Sequence, residues 1–307
     1  MRKLYIIGAV FAAGVIGWGG LSYVESGLSK KVDQQIQSSF LKDHIEYEKV
    51  SVGALSRSLT LKQVRATSEY ARFLNLSKID ELRVSLVELH EGVPVEAHIR
   101  ASGVSFGPNV LSLLGFSSAE INTLQASTGE ETFSGTFELY HSFDEEEGLL
   151  HFETEIRVDD IAVIAAESDL KGIDSGLQGG LAGVLTGAGD EASAGVTLGQ
   201  LFALGLLLEQ QLNSLQLSQG EVSLEDLGAF RVLGEIAAYE RQLYGEEKVP
   251  YGAPALENVS IQQLIQNYRR PGGKLTIELN REISLRASYQ KPVSRFIEDG
   301  NMSVSGL

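Results

Sequence analysis

The hydrophobic pattern changes character along the chain, and its first part suits a lipid bilayer. The run Leu4–Val24 contains no charged residue and reaches the length of about 20 residues that a helix needs to cross the hydrocarbon core. A cleaved secretion signal has a shorter apolar region of roughly 7–15 residues. Arg2 and Lys3 precede the run, so the N-terminus is expected in the cytoplasm. Residues 1–25 are therefore predicted to be an uncleaved transmembrane signal-anchor, with a cleaved signal as the alternative; both export the following chain.

The next segment is polar with scattered apolar positions. Over residues 26–43, Val32, Ile36 and Phe40 recur at intervals of four, which is typical of a helix with one apolar stripe. We interpret this segment as a helical stalk that continues from the anchor.

From residue 44 to residue 171 the period shortens to two. Apolar and polar residues nearly alternate on both sides of a turn at 53–58 and again over 76–90 and 95–106, as in half-buried β-strands. Two further strands flank the turn "FDEEEG", and we expect Phe137 and Leu139 on one arm to lie against Leu150 and Phe152 on the other. These strands predict a β-rich half built as an antiparallel meander.

Two helix starts interrupt the strands. Pro108 suits the beginning of one short helix and Ser117 or Ser118 the beginning of another, because proline and serine are favoured at helix N-termini.

Residues 172–213 form an insertion with two unlike halves. The first half, 172–195, is rich in glycine, which costs a helix interior about 1 kcal/mol per residue relative to alanine. The second half is apolar, and Leu201, Leu204 and Leu208 share one helical face. This face either packs in the core of the domain, which we favour, or lines an apolar groove. Leu204→Asp should unfold the domain in the first case and abolish binding without unfolding in the second.

The last segment, residues 214–307, mixes the two periods in an α+β arrangement. A strand over 214–224 leads into an amphipathic helix for which Ser223 is the expected cap. A short helix over 260–270, a strand or strand pair over 272–290 and a helical turn over 292–299 follow. The predicted fold class is α+β: an N-terminal transmembrane helix and an exported, mostly antiparallel β-rich domain with helical insertions.

Composition narrows the function classes. The 307 residues include no cysteine, which excludes thiol catalysis, thiolate metal sites and disulfides. The formal net charge of −16 opposes electrostatic binding of nucleic acid or of an anionic lipid surface.

Motifs for catalysis and metal binding are absent from the sequence. It has no His-Glu-x-x-His, no phosphate-binding loop and no Gly-x-Ser-x-Gly turn. His141 and His151 flank the turn "FDEEEG" symmetrically, so they would form a weak divalent-cation site only if they faced each other across the hairpin. Exposed hairpin residues are the favoured interpretation. We therefore predict no catalytic residue, no cofactor and no metal.

Two stretches resemble bacterial envelope proteins. The first follows the anchor and is similar to the opening strands of AsmA-like proteins, although Arg57 replaces a glycine of that phrase; the matching residues are Ser58, Leu59, Leu61 and Val64. The second resembles the end of the YdgA-type family in a glycine turn, an L-x-I-x-L strand and a later Pro-Val pair, namely Gly272, Gly273, Leu275, Ile277, Leu279, Pro292 and Val293. The resemblance implies a periplasmic β-rich fold on an inner-membrane anchor, related to proteins implicated in lipid handling, and it implies no catalytic residues.

The resulting hypothesis is a single-pass protein of the bacterial inner membrane whose C-terminal domain is periplasmic. It would be non-enzymatic and would bind an apolar ligand such as a lipid or contribute to envelope maintenance. The alternative is a structural or assembly factor that binds other envelope proteins through sheet edges or through the glycine-rich segment. An envelope hydrolase has the least support, because the sequence suggests no pair of nucleophile and base.

Overall fold

A computed structural model describes ten ranges of the chain: 25–38, 45–53, 57–66, 76–90, 93–114, 116–144, 146–172, 215–244, 268–284 and 299–306. Within these ranges no helix is long and apolar enough to cross a membrane. The predicted anchor run, Leu4–Val24, lies outside them, as do residues 260–267 and 292–298, where further helical structure was predicted.

Helices and strands follow one another in an order dominated by strands. The helices are α1 (Glu25–Ser38), α2 (Asn109–Leu113), α3 (Ser118–Thr128) and α4 (Ala229–Tyr244). The strands are β1 (Ile45–Glu46), β2 (Lys49–Gly53), β3 (Ser58–Ala66), β4 (Leu76–His90), β5 (Val93–Phe106), β6 (Phe133–Asp144), β7 (Leu149–Val158), β8 (Ala162–Lys171), β9 (Gln216–Asp226), β10 (Lys274–Leu279), β11 (Ile283–Ser284) and β12 (Met302–Gly306).

All of these strands belong to one antiparallel sheet of 12 strands. Its order is β1-β3-β4-β5-β6-β7-β8-β9-β10-β12, while β2 pairs with β3 beside β1 and β11 pairs with β9 beside β10. Strands β8 and β9 pair directly, although residues 173–214 separate them in sequence. The prediction of a mostly antiparallel, β-rich fold is confirmed.

The alternation read from the sequence places one apolar and one polar face on this sheet. Leu59 and Leu61 of β3 are buried opposite Val84 and Leu82 of β4.

A bulge interrupts the alternation between Ala101 and Val104 of β5, where the register with β6 shifts. Gly103 lies in this bulge with a positive φ of 59°, and a side chain there would collide with Asp80. The bulge returns the apolar residues of β5 to the buried face.

Helices α2, α3 and α4 close one end of the apolar face, which we call the proximal end. Ser117 and Glu120 form a capping box at the start of α3, as the sequence predicted for this helix start. Glu120 is fully buried and forms an ion pair with Arg269, whose guanidinium also lies 5.2 Å from the centre of the Phe230 ring. Phe230 of α4 stacks on Phe116 with ring centres 4.9 Å apart. These contacts join α3, α4 and residues 268–270 into one packed unit.

The start of α4 differs from the prediction. Ser223 lies within β9, which continues to Asp226, so Ser223 does not cap the helix. The buried carboxylate of Asp226 instead accepts hydrogen bonds from the backbone N–H groups of Phe230, at 3.1 Å, and Gly272, at 2.9 Å. Because Gly272 is distant from Asp226 in sequence, this shared role of the carboxylate could be recognised only from the folded chain.

Helix α1 packs on the sheet. The segment expected to be a stalk contains this helix, and its Val32 and Ile36 are buried with the core residues of the neighbouring strands. The hydroxyl of Ser29 accepts a hydrogen bond from the backbone N–H of Val52 at 3.2 Å. The described chain therefore contacts the sheet from Ser29 onward.

Candidate functional site: the distal end of the sheet

The apolar face continues beyond the core towards the opposite, distal end of the sheet, where β6 turns into β7. Six apolar residues lie there, and none of them belongs to the core cluster. Val222 is 37% exposed and the others are half-buried. We call this group the distal apolar patch: Phe143, Leu150, Phe152, Leu170, Leu217 and Val222.

Four residues of the patch form a continuous row because they pair across neighbouring strands, while Phe152 and Val222 lie on the same face, one and two same-face positions further from the hairpin turn. Phe143 lies opposite Leu150, and Leu150 lies opposite Leu170. Leu170 lies opposite Leu217 on β9, beyond a register shift in that strand pair. Large apolar side chains in direct cross-strand contact form a surface that water solvates poorly, and such surfaces mark sites for apolar ligands, membranes or other proteins.

Smaller residues lie beside this row. Phe152 is followed across the sheet by Ser168 and then by Gly220. A Cβ atom at Gly220 would lie 3.6 Å from Leu217 Cδ2, an ordinary contact, so the described neighbours leave room for a side chain. A glycine inside a strand weakens the strand and often marks close approach of a ligand or another backbone.

The polar face behind the patch is strongly acidic. Four glutamates lie directly opposite one another on the neighbouring strands β7 to β10, namely Glu153, Glu167, Glu221 and Glu278. We call these residues the glutamate row. Like charges in direct cross-strand positions destabilise a sheet, so the row is not explained by sheet stability.

An open depression of about 600 Å³ lies over this part of the polar face. At one side of it Glu138 forms an ion pair with Arg100 at 2.6 Å, and Nε2 of His98 lies 3.3 Å from the other carboxylate oxygen of Glu138. The hydroxyl of Tyr140 donates to Glu96 at 2.9 Å, and burial together with this bond raises the pKa of the phenol.

His151 links two strands at the distal end of the polar face. Its Nδ1 lies 2.6 Å from an oxygen of Asp169 on β8, and its Nε2 lies 3.1 Å from an oxygen of Glu153. Burial alone would lower the pKa of His151, but the hydrogen bonds and charges of Asp169 and Glu153 outweigh it and raise the pKa. Folding therefore favours the imidazolium form of His151 relative to the unfolded chain.

The register also brings Ser142 opposite His151, which gives a serine, a histidine and an aspartate in one row. This composition resembles a hydrolase triad, but the geometry does not fit one. In a triad the Nε2 atom accepts the proton of the serine, whereas here Nε2 contacts Glu153. The arrangement does not activate Ser142 as a nucleophile.

The two histidines that flank the hairpin turn do not form a site together. His141 lies opposite Phe152, and His151 lies opposite Ser142, so the imidazoles occupy opposite faces of the sheet. In the part of the chain that the structure describes, no group of three or more metal-binding side chains comes together. The weak divalent-cation site considered from the sequence is ruled out by this register.

The apolar groove residues proposed from the sequence, Leu201, Leu204 and Leu208, lie outside the described residues.

The predicted hairpin between β6 and β7 is present, but the residue pairs predicted across it were wrong by several positions. Phe137 lies opposite Ile156, and Leu139 lies opposite Thr154. Sequence reasoning therefore missed the row of Phe143 and Leu150, although their alternation with polar residues was a usable signal.

Comparisons with known proteins leave the family open. No protein-family model matches the chain, and the search of curated proteins gives no significant match.

Proposed function

We propose that this protein is a membrane-anchored, exported envelope protein without enzymatic activity, and that it binds the apolar part of a lipid at the distal apolar patch. The observation that carries the proposal is the patch itself: Phe143, Leu150, Leu170 and Leu217 form a half-buried apolar row beyond the core. The resemblance of the two chain ends to envelope proteins implicated in lipid handling supports the same class of ligand. The proposed location is the bacterial inner membrane, with the C-terminal domain in the periplasm.

Proximity to the membrane favours a lipid over other apolar ligands. Helix α1 begins at Glu25, directly after the uncharged run, and its 14 residues span about 21 Å at 1.5 Å per residue. If Leu4–Val24 crosses the bilayer, this short helix keeps the sheet close to the membrane surface. A patch of this kind then meets acyl chains at high local concentration.

Lipid extraction from matched variants tests the proposal. The full-length protein is purified in mild detergent, and bound lipid is quantified by mass spectrometry for the wild type, Val222→Asp and Tyr239→Asp. Val222 is in the patch, whereas Tyr239 lies on α4 and is 62% exposed. Both changes add one negative charge at an exposed apolar position, so they are matched controls, and the anchor contributes the same lipid background to each.

We expect Val222→Asp to reduce binding of patch-bound lipid at least tenfold, because it removes about 1.5 kcal/mol of apolar contact and places a charge against the acyl chain. Tyr239→Asp should leave the bound lipid unchanged. Equal lipid in all three proteins would show that only the anchor holds lipid and would contradict the proposal. Slow hydrogen exchange through residues 201–208 in the lipid-free protein, together with no bound lipid, would instead identify that segment as the occupant of the patch.

A further inference from the structure

The two edges of the sheet differ in how they are protected. At the β2 edge, helix α1 lies against the strand, and Ser29 accepts the hydrogen bond from the backbone N–H of Val52. Tyr47 donates to Asp33 of α1 at 2.7 Å, and burial together with this neighbour raises the pKa of Tyr47 to about 12. A covering helix is one of the common ways in which proteins prevent strand addition at an edge.

Among the described residues, no helix makes a comparable set of contacts with the opposite edge, β12. Residues 302–306 read Met-Ser-Val-Ser-Gly and contain no charge and no proline. They pair with β10 over five consecutive residues without a bulge. Among the described strands, β12 is the last in the order, and no other described strand pairs with its outer side. A regular, uncharged edge presents backbone donors and acceptors to another strand.

The register specifies what an added strand would meet. Val304 lies opposite Ile277 on the apolar face, while Ser303 lies opposite Glu278 on the polar face. The glutamate row therefore runs across β7 to β10 and ends at a small, neutral residue on β12. The next strand outward would place one apolar side chain beside Val304 and one polar side chain at the end of the glutamate row.

We propose that β12 binds an extended segment of a partner protein in which apolar residues alternate with basic ones. Backbone pairing would supply the affinity and the alternating side chains the specificity, as in other cases of strand addition. A lysine or arginine at the end of the glutamate row would offset the repulsion among the carboxylates, which is otherwise unfavourable. A second copy of this chain fits less well, because its own β12 brings serines to these positions and each chain carries a net charge of −16. This interaction goes beyond lipid binding and uses a different part of the sheet.

The test uses the full-length protein in detergent and three acetylated, amidated heptapeptides. The first alternates lysine and valine, the second has the same composition with its three valines contiguous, and the third alternates glutamate and valine. Affinity is measured by fluorescence anisotropy, and the binding position is located by hydrogen exchange. The second peptide controls for the general attraction of any cationic peptide to an acidic protein.

We expect the alternating lysine peptide to bind at least tenfold more tightly than either control and to slow exchange of the amides of residues 302–306 that point away from β10. Ser303→Lys should weaken its binding about two- to fivefold, the effect of one like-charge contact between adjacent strands. Ser134→Lys, which adds the same charge at an exposed serine of β6, should have a smaller effect.

Four results would overturn the proposal. These are slow exchange, in the free protein, of the amides of residues 302–306 that point away from β10, protection that appears on other strands, equal affinity for the two lysine peptides, or self-association that Ser303→Lys abolishes. The first would show that the chain already covers this edge, and the last would identify a second copy as the partner.

Discussion

The proximal and distal ends of the apolar face are built from the same strands but are completed in different ways. At the proximal end, helices α2, α3 and α4 cover the face and bury an ion pair, Glu120 with Arg269. At the distal end, the face carries half-buried leucines and phenylalanines, and the other face carries the half-buried pair of His151 and Asp169. Equal alternation along a strand therefore does not imply equal burial, because burial depends on what packs over each part of the sheet.

Mutations at the two ends should therefore differ in their effects on stability and binding. The proximal contacts are largely buried, so removal of one partner should destabilise the whole fold. The distal contacts keep access to water, so single changes there should affect binding more than folding. The following three predictions test this contrast.

The largest effect is expected at the buried ion pair. Arg269→Met should lower the free energy of unfolding by about 3–5 kcal/mol, because it leaves the carboxylate of Glu120 buried without its positive partner. Urea denaturation of the full-length protein, followed by circular dichroism, measures this loss.

The double variant Glu120→Gln with Arg269→Met is the control. Glutamine removes the buried charge and still completes the capping box of α3, so most of the lost stability should return. A loss below 1 kcal/mol in Arg269→Met would mean that the proximal end tolerates an unpaired charge and is more hydrated than its burial indicates.

A matched pair of leucines compares the two ends directly. Leu111 of α2 is fully buried, and its replacement by alanine should cost about 2–5 kcal/mol of unfolding free energy. Leu150 of the distal apolar patch is half-buried, and the same replacement should cost about 1 kcal/mol, because part of its surface already contacts water. Urea midpoints of the two variants give the comparison, and equal costs would show that the patch is part of the core.

The smallest effect concerns the pH dependence of stability at the distal end. The pKa of His151 is raised in the folded protein above its ordinary value of 6.5, so the folded state holds the proton more tightly than the unfolded state. The stabilisation is fully present below pH 6.5 and is lost as the pH rises through the folded-state pKa.

Urea denaturation between pH 5 and pH 9 measures this contribution as the difference between the wild type and His151→Gln. The wild type should lose more stability than the variant as the pH rises. Asp169→Asn, which removes the nearest carboxylate, should reduce the same difference. An identical pH dependence in wild type and His151→Gln would show that the pair contributes nothing to folding.

The sequence alone determined the strand content of this protein and several of its boundaries. Alternation of apolar and polar residues located β2 to β9, since each strand must bury one face, and Pro108 and Ser117 marked the starts of two helices. These signals are local, because they depend on residues within one element. The strand β12 was missed, because its alternation of apolar and polar residues extends only from Met302 to Ser305 and is too short a signal by itself.

Only the tertiary structure decided which residues meet. The register of β6 with β7 separated His141 from His151, and the pairing of β8 with β9 across residues 173–214 completed both the distal apolar patch and the glutamate row. Asp226 became a helix cap by reaching Phe230 and Gly272 at once. The physical reason is that a shift of one residue in pairing moves a side chain to the opposite face of a sheet, and this shift is fixed by the packing of the whole apolar face rather than by any single strand.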